Sequence, residues 1–198
     1  GTTNFILSKM SENQSSFKDA LKEAQDLGLA EADPTMDIDG TDAAQKASIL
    51  SALAFNTLYD FNSVSYEGIE NVSPEDIVYA EQLEYSIKHI AYGSIVDGEV
   101  NVSAFPTFVP KGQLLSQVGQ QMNALDIHCE EMGSTVYYGP GAGPKPTASA
   151  VIADLVDIAN GGWPSQELST NSNKLTKKEK GNDKIKKSRN YCFTWWRI

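Results

Sequence analysis

Residues 86–109, SIKHIAYGSIVDGEVNVSAFPTFV, decide the fold. Two runs of sheet-forming sequence, 86–95 and 99–109, flank the dipeptide Asp97-Gly98. An Asp-Gly pair between two such runs is a strong signal for the tight turn of a β-hairpin. The stretch therefore predicts two antiparallel strands in the middle of the chain.

Helix signals lie on both sides of this hairpin. Ser16 with Asp19 is a variant of the capping box, Gly28 suits the position just past that helix, and Ser73-Pro74 is typical of another helix start. We expect helices at 16–27, 41–55, 114–125 and 147–159 and one beginning at Ser73, with further strands in the first residues, at 127–131 and at 135–138. This order predicts an α+β fold, in which a mixed, largely antiparallel sheet is covered by helices on one face.

The net charge of −10 combines two regions of opposite sign. Residues 1–162 carry 23 acidic side chains against seven lysines, whereas 163–198 carry nine lysines and arginines against three acids. An acidic body is a poor partner for nucleic acid and for anionic membranes, so we expect neither as a ligand. We divide the chain into a domain at 1–162, a basic polar linker at 163–188 and a strand-like segment at 189–198.

Apolar runs and cysteines indicate the cellular compartment of the protein. No apolar run approaches the ~18 residues of a membrane span, and two cysteines do not make a disulfide framework. These features favour a cytoplasmic protein. The chain begins Gly1-Thr2 with neither Met nor a signal peptide, and we expect it to be a piece of a longer polypeptide.

The densest cluster of reactive side chains lies at 31–46, which holds five carboxylates and one lysine. Asp42 and Lys46 are four residues apart, so on a helix they share a face, and the helix dipole favours a charge at Asp42. The pair fits a solvated ion pair. It also fits a proton donor or acceptor, because the helix after Lys46 is apolar almost all round and should be buried. An acidic metal-binding loop is a further alternative, although the offsets are not those of an EF-hand.

A second segment, 137–147, places a glycine loop between a strand and a helix start. Glycines let a ligand approach the backbone, and the N–H groups at a helix start suit an anion. The spacing is neither that of a Walker loop nor GxGxxG, so a tight turn before a helix capped by Thr147 is the alternative. The histidines and cysteines, which are His89, His128, Cys129 and Cys192, lack the spacing of metal ligands, and we expect no metal site.

Four blocks of the sequence together resemble homoserine dehydrogenases. The longest runs from Ala24 to Lys46 and reads A-x3-GLA-x2-DP-x2-DI-x-G-x-D-x3-K. The others are GTTNFIL at 1–7, YEGI at 66–69, and the glycine loop with its helix at 138–155. The resemblance covers residues 1 to about 160.

The resemblance implies an activity and a set of catalytic residues. That family interconverts aspartate semialdehyde and homoserine with NAD or NADP, in threonine, methionine and isoleucine biosynthesis. Lys46 would donate a proton to the aldehyde oxygen, or accept it in reverse, and Asp42 would keep Lys46 charged and oriented. Glu31 would pair with the α-ammonium of the substrate.

The remaining implied residues surround these three. The resemblance adds Asp37, Gly1 and Thr2 to the substrate site, and Gly28, Gly141 and Gly143 to the cofactor site. It implies a homodimer. The family's amino-terminal nucleotide domain is absent, so most of the cofactor site would lie outside this chain, and the chain alone would be inactive.

Three departures from the family's pattern accompany these matches. Leu29 stands where many relatives carry an aromatic residue. Residues 111–114 read KGQL where the family has HPLA, and 188–191 resemble the first strand of an ACT regulatory domain that does not continue. The alternative function is a non-catalytic dimerisation or amino-acid-binding domain of the same fold. Retention of Glu31, Asp42 and Lys46 together opposes it.

Overall fold

The computed structural model describes residues 1–58, 60–141, 143–161 and, as backbone, 191–196. In that part of the chain the helices are α1 (Thr2–Asn13), α2 (Phe17–Asp26), α3 (Thr35–Ile38), α4 (Thr41–Phe55), α5 (Pro74–Gln82) and α6 (Pro144–Ala159). The strands are β1 (Ser65–Tyr66), β2 (Tyr85–Val96), β3 (Glu99–Pro110), β4 (Met122–Cys129), β5 (Gly133–Pro140) and β6 (Tyr191–Trp196). Short 3₁₀ turns occur at Phe61–Ser63 and Leu114–Gln117.

The central hairpin forms as the sequence predicts. Strands β2 and β3 pair antiparallel from Tyr85 opposite Pro110 to Val96 opposite Glu99. Asp97 and Gly98 have φ values of 53° and 82°, the left-handed conformations that a two-residue hairpin turn requires. The hairpin is thus specified by local sequence.

The six strands form one sheet in the order β1-β3-β2-β6-β4-β5. Only the short β1–β3 pairing is parallel among the described strands, so the predicted mixed, largely antiparallel α+β fold is confirmed. Strand β6 pairs with β2 on one side and with β4 on the other, both of which precede it in the chain. The linker predicted at 163–188 lies outside the described residues.

Helix α4 packs on the hairpin through small side chains. Its buried residues Ala43, Ala44 and Ala47 meet Ala91 and Ala104 of β2 and β3 in one apolar cluster. Small side chains on both partners let the helix backbone approach the sheet closely, which fixes the position of α4.

The expectation that α4 is buried almost all round is wrong. Ile49 and Leu53 are 60% and 62% exposed, on the side away from the sheet. A helix on one face of a sheet buries a single stripe, which the alanines already supply.

A second apolar cluster joins α1, α2 and α5. Its α1 members are Phe5, Ile6, Leu7 and Met10. The strand expected in the first residues is wrong, because a short continuous apolar run fits a helix buried on several sides as well as a strand. The capped starts predicted for α2 and α5 are confirmed, and in α5 Ser73 and Asp76 form a full capping box.

The helix expected at 114–125 is also wrong. A 3₁₀ turn at Leu114–Gln117 is followed by Gln120, which has a φ of 57°, and then by β4. Leu115, Val118 and Ala124 are buried together with Val109 of the hairpin. Their apolar spacing is that of a helix, but Leu115 and Val118 pack onto the sheet and Ala124 lies within β4.

The last helix begins earlier than expected. Gly143 is the N-cap of α6, with Pro144 in the first turn, so Thr147 lies inside the helix and does not cap it. Proline suits the first turn because its missing N–H would have no helical partner there. The predicted end at Ala159 is confirmed.

Two glycines allow backbone to lie against backbone just before α4. An added Cβ on Gly68 would be 1.9 Å from the carbonyl oxygen of Ile38, and one on Gly40 would be 2.9 Å from that of Glu67. The Ile69 amide donates to the Ile38 carbonyl at 2.8 Å in the same contact. Residues 38–40 and 67–69, called here the glycine junction, therefore have no room for a side chain between them.

We expect Gly68→Ala to lower the free energy of unfolding by about 3 kcal/mol or more, because backbone atoms must move to admit the methyl group. Gly112→Ala is the matched control, since its Cβ would meet no atom within 4 Å in the part of the chain that the structure describes. Urea titration monitored by circular dichroism measures both variants. Equal stabilities would show that the junction tolerates a side chain.

Candidate active site

A cleft of about 480 Å³ opens where α1, α3 and α4 meet. It brings together five residues that the sequence singled out as substrate-binding or catalytic, from segments up to 41 positions apart. The lining residues are Gly1, Thr2, Leu29, Glu31, Asp33, Thr35, Met36, Asp37 and Asp42. Four carboxylates thus border a single cavity.

The loop between α2 and α3 places its acids by local hydrogen bonds. The Asp33 carboxylate accepts from the amide of Thr35 at 3.2 Å and from its hydroxyl at 2.6 Å. These bonds lower the pKa of Asp33 below its usual range, so its charge is kept at the cleft rim. Gly28, with a φ of 69°, ends α2 and turns the chain into this loop.

Thr2 ties the start of α1 to α3. Its hydroxyl oxygen lies 2.8 Å from Oδ2 of Asp37 and 3.0 Å from the carbonyl oxygen of Leu29. Thr2 is buried and Gly1 is the N-cap of α1, so the positive end of the helix dipole faces an acidic cavity.

The predicted pairing of Asp42 and Lys46 forms. The Lys46 ammonium lies 2.8 Å from Oδ2 of Asp42, with 29% and 22% of the two side chains exposed. Asp42 lines the cleft, and Lys46, one helical turn further along α4, meets the cleft through that carboxylate. A group that can hold or give up a proton therefore stands beside a pocket rich in carboxylates.

Sequence reasoning missed Lys88, a buried lysine of β2. Its ammonium donates to Oδ1 of Asn4 at 3.0 Å and to the carbonyl of Val118, and Asn4 in turn donates to the carbonyl of Gln120 at 3.0 Å. Burial lowers the pKa of Lys88 to about 8, against a smaller opposing effect of Glu12. The sequence signal was a lysine in the strand segment 87–91, whose other residues apart from His89 are apolar, and α1 and the 118–120 turn enclose that lysine.

The part of the chain that the structure describes holds no group of three or more His, Cys, Asp or Glu side chains placed to bind a metal ion. His89 and His128 both lie on strands. Among the described helices, none combines the length and the apolar character that crossing a membrane would need.

The family model described as homoserine dehydrogenase matches residues 1–156. This chain belongs to the homoserine dehydrogenase family. The homoserine dehydrogenase of Neisseria gonorrhoeae is 50% identical over 159 residues, which are 80% of this chain and 37% of that protein.

Solved homoserine dehydrogenase structures agree with the fold. That from Thiobacillus denitrificans has a TM-score of 0.76 and 48% identity, over 80% of this chain and 37% of that one. One from S. aureus at pH 6.5 has a TM-score of 0.76 and 36% identity, over 100% of this chain and 57% of that one. The chain therefore spans well under two thirds of the relatives that it matches.

The three glycines implied in cofactor binding lie outside the lining of the acidic cleft. Gly28 is adjacent to the lining residue Leu29, and a Cβ on Gly28 or on Gly143 would meet no atom of the described residues within 4 Å, so among those residues nothing blocks a ligand's approach to the backbone at either place. Gly141 differs, because an added Cβ would overlap the side-chain amide of Asn123 at 1.3 Å. Packing against Asn123 therefore explains the glycine at position 141 without a ligand.

The lowered pKa of Lys88 predicts a pH-dependent stability. Between about pH 8 and 10.5 the unfolded chain binds a proton that the folded chain has lost, so stability should rise with pH in that window. Relative to Lys88→Met, the wild type should gain on the order of 3 kcal/mol across it. Urea unfolding of both proteins at several pH values, with the exposed Lys22→Met as control, measures the gain, and parallel curves would contradict it.

Proposed function

We propose that this chain is the substrate-binding and proton-transfer part of a homoserine dehydrogenase that interconverts L-aspartate 4-semialdehyde and L-homoserine with NAD(P)H. The observation that carries the proposal is the Asp42–Lys46 pair, 2.8 Å apart at the edge of a cleft lined by Glu31, Asp37 and Thr2. Family membership supports the reaction class. In this role the protein serves threonine, methionine and isoleucine biosynthesis.

Lys46 is the proton donor in the reductive direction. A bound nicotinamide cofactor would supply the hydride that the aldehyde carbon needs. The Lys46 ammonium gives a proton to the aldehyde oxygen, which becomes the hydroxyl of homoserine. In reverse, neutral Lys46 removes the hydroxyl proton. Asp42 orients the amine through its 2.8 Å contact and favours its charged form.

The acids of the cleft hold the amino end of the substrate. Glu31 is exposed at the cleft and pairs with the α-ammonium by a charge-assisted hydrogen bond. Asp37 lines the same cleft, and Thr2 holds its carboxylate at 2.8 Å. The start of α1, with Gly1 and Thr2, suits the substrate's carboxylate, because the positive end of the helix dipole favours an anion.

The cofactor is held mainly by protein that lies outside this chain. The open backbone at Gly28 and Gly143 supports a contribution from both, and Gly141 would keep the loop packed on Asn123. Helix α6 supports a domain contact, because its apolar side chains Val151, Ile152 and Leu155 are each more than half exposed. We infer that α6 packs against the nucleotide domain. This chain spans only 37% of the length of two of its relatives, so those proteins contain further residues that such a helix could contact.

We infer a homodimer in which the sheet takes part. Tyr92 and Val96 of β2 lie on one face of the hairpin with Phe105 of β3, and these side chains are 38%, 55% and 37% exposed. Partly exposed aromatic and aliphatic side chains on a sheet are a suitable contact surface. A cytoplasmic location, which the two cysteines favour, stays a prediction.

Replacement of Lys46 tests the catalytic role. The chain is mixed with, or fused to, the nucleotide domain of a relative, and homoserine-dependent reduction of NADP is followed at 340 nm. We expect Lys46→Ala to lower kcat by about 10²- to 10⁴-fold, the usual contribution of a general acid or base.

Lys22→Ala is the matched control, because Lys22 and Asp26 form an exposed ion pair of the same i,i+4 spacing and neither residue lines the cleft. It should retain wild-type rates. Wild-type rates in Lys46→Ala as well would remove Lys46 from the mechanism. An inactive wild-type mixture that still binds homoserine would favour the non-catalytic amino-acid-binding alternative.

Glu31→Gln tests recognition of the substrate ammonium. Loss of one charge-assisted hydrogen bond should raise the KM for homoserine by about 10- to 100-fold and change kcat much less. Glu70→Gln, at another exposed acid, is the control. The same assay gives both constants, and an unchanged KM in Glu31→Gln would place the ammonium elsewhere.

A further inference from the structure

His89 is a buried histidine with one ring nitrogen satisfied and one not. The residue is 3% exposed, and its Nε2 lies 2.9 Å from the carbonyl oxygen of Glu67. A carbonyl only accepts, so Nε2 carries the hydrogen and Nδ1 of the neutral ring is an unprotonated acceptor. Among buried side-chain nitrogens and oxygens of the described residues, Nδ1 is the one without a hydrogen-bond partner.

The carbonyl that His89 holds belongs to the glycine junction. The backbone of Gly40 lies so close to the Glu67 carbonyl that an added Cβ would be 2.9 Å from its oxygen. Gly40 is the N-cap of α4, and Asp42 stands in the first turn of that helix. The imidazole is therefore linked to the start of α4 through the Glu67 carbonyl and the Gly40 backbone. Asp42, which lines the cleft and pairs with Lys46, lies in that first turn.

Charge links His89 to the same helix. Burial lowers the pKa of His89, while the Glu67 hydrogen bond and the charge of Asp42 act in the opposite direction. Of the elements around the ring, α4 contributes Asp42, residue 67 contributes a carbonyl, and the cross-strand partner on β3 is Pro106, which does not titrate. Lys88, the preceding residue of β2, points to the opposite face of the strand.

We propose that His89 is a positioning residue for the Asp42–Lys46 pair, acting through the Glu67 carbonyl. In the neutral ring the Nε2–H fixes that carbonyl, and the fixed carbonyl provides the surface on which Gly40 sets the first turn of α4. Protonation of Nδ1 would place a buried N–H without an acceptor beside the junction and would disturb this arrangement. The effect on turnover rests on the proposed function, whereas the effect on the geometry of the pair does not.

The ring itself is tested first, by NMR titration of the 198-residue chain. The chain contains two histidines, so His128→Gln assigns the signals. We expect His89 to be the Nε2–H tautomer and to titrate below the 6.5 of an exposed histidine, and Asp42→Asn to lower its midpoint further. A His89 midpoint at or above 6.5, or one that does not move in Asp42→Asn, would overturn the proposal.

Two substitutions then separate positioning from packing. Glutamine can offer an amide N–H near the position of Nε2, whereas leucine fills the volume without a donor. In His89→Leu we expect the Lys46 side-chain signals to shift and kcat of the mixture with a nucleotide domain to fall by about 10- to 100-fold, with the larger change in kcat than in KM. His89→Gln should restore both, and His128→Leu should change neither.

Failure of the positioning role of His89 and failure of the proposed function give different results in these experiments. Equal Lys46 signals in wild type and His89→Leu, or a loss in His89→Gln as large as in His89→Leu, would overturn the positioning role. If the wild-type mixture has no activity, the proposed function fails, and the Lys46 signals still decide the role of His89. If His89→Leu does not fold by circular dichroism, the Gln variant and the Asp42→Asn titration decide it.

Discussion

The close approach of backbone to backbone at the glycine junction is the constraint on which the rest depends. The first four amides of an α-helix have no partner within the helix, so the segment before the helix must set where it starts and how it is directed. For α4, the contact of residues 38–40 with 67–69 does this. Any side chain at Gly68 would overlap the Ile38 carbonyl, so this close approach of the two segments requires glycine there. Together with the packing of the α4 alanines on the hairpin, that contact sets where the first turn of α4 lies, and with it the position of Asp42.

Strand β2 supports both sides of the cleft through two consecutive residues. Neighbouring residues of a strand face opposite sides, so Lys88 reaches Asn4 of α1 while His89 reaches the Glu67 carbonyl beside α4. Each is a buried titratable group whose pKa burial lowers. Burying such groups costs free energy. They are therefore hydrogen-bonded to backbone or amide oxygens, and those bonds fix the two helices whose first turns line the cavity.

The sequence could predict what is local. Asp97-Gly98 specifies the hairpin and Ser73 with Asp76 a helix start, because turn and cap chemistry depends on a few adjacent residues. Hydrophobic periodicity predicted the wrong secondary structure where apolar residues are buried by contacts with distant parts of the chain. Phe5, Ile6 and Leu7 are buried on several sides of a helix, and Leu115 and Val118 pack onto a sheet although their spacing is helical. The acids of the cleft stand out as a cluster at 31–46, and the family resemblance added their roles. Lys88 and His89 gave no motif, since their partners are 22 to 84 positions away.

Two ion pairs with the same spacing show why local pattern alone cannot assign chemistry. Lys22–Asp26 and Lys46–Asp42 both join residues four apart on a helix, at 3.0 and 2.8 Å. The first pair is 72% and 65% exposed, so solvent screens it and it contributes little. The second is 29% and 22% exposed, in a region where other carboxylates converge. In a less polar surrounding the same charges interact more strongly. The difference between a surface ion pair and a candidate proton donor is therefore made by the glycine junction and the start of α1, which bring distant acids to Asp42.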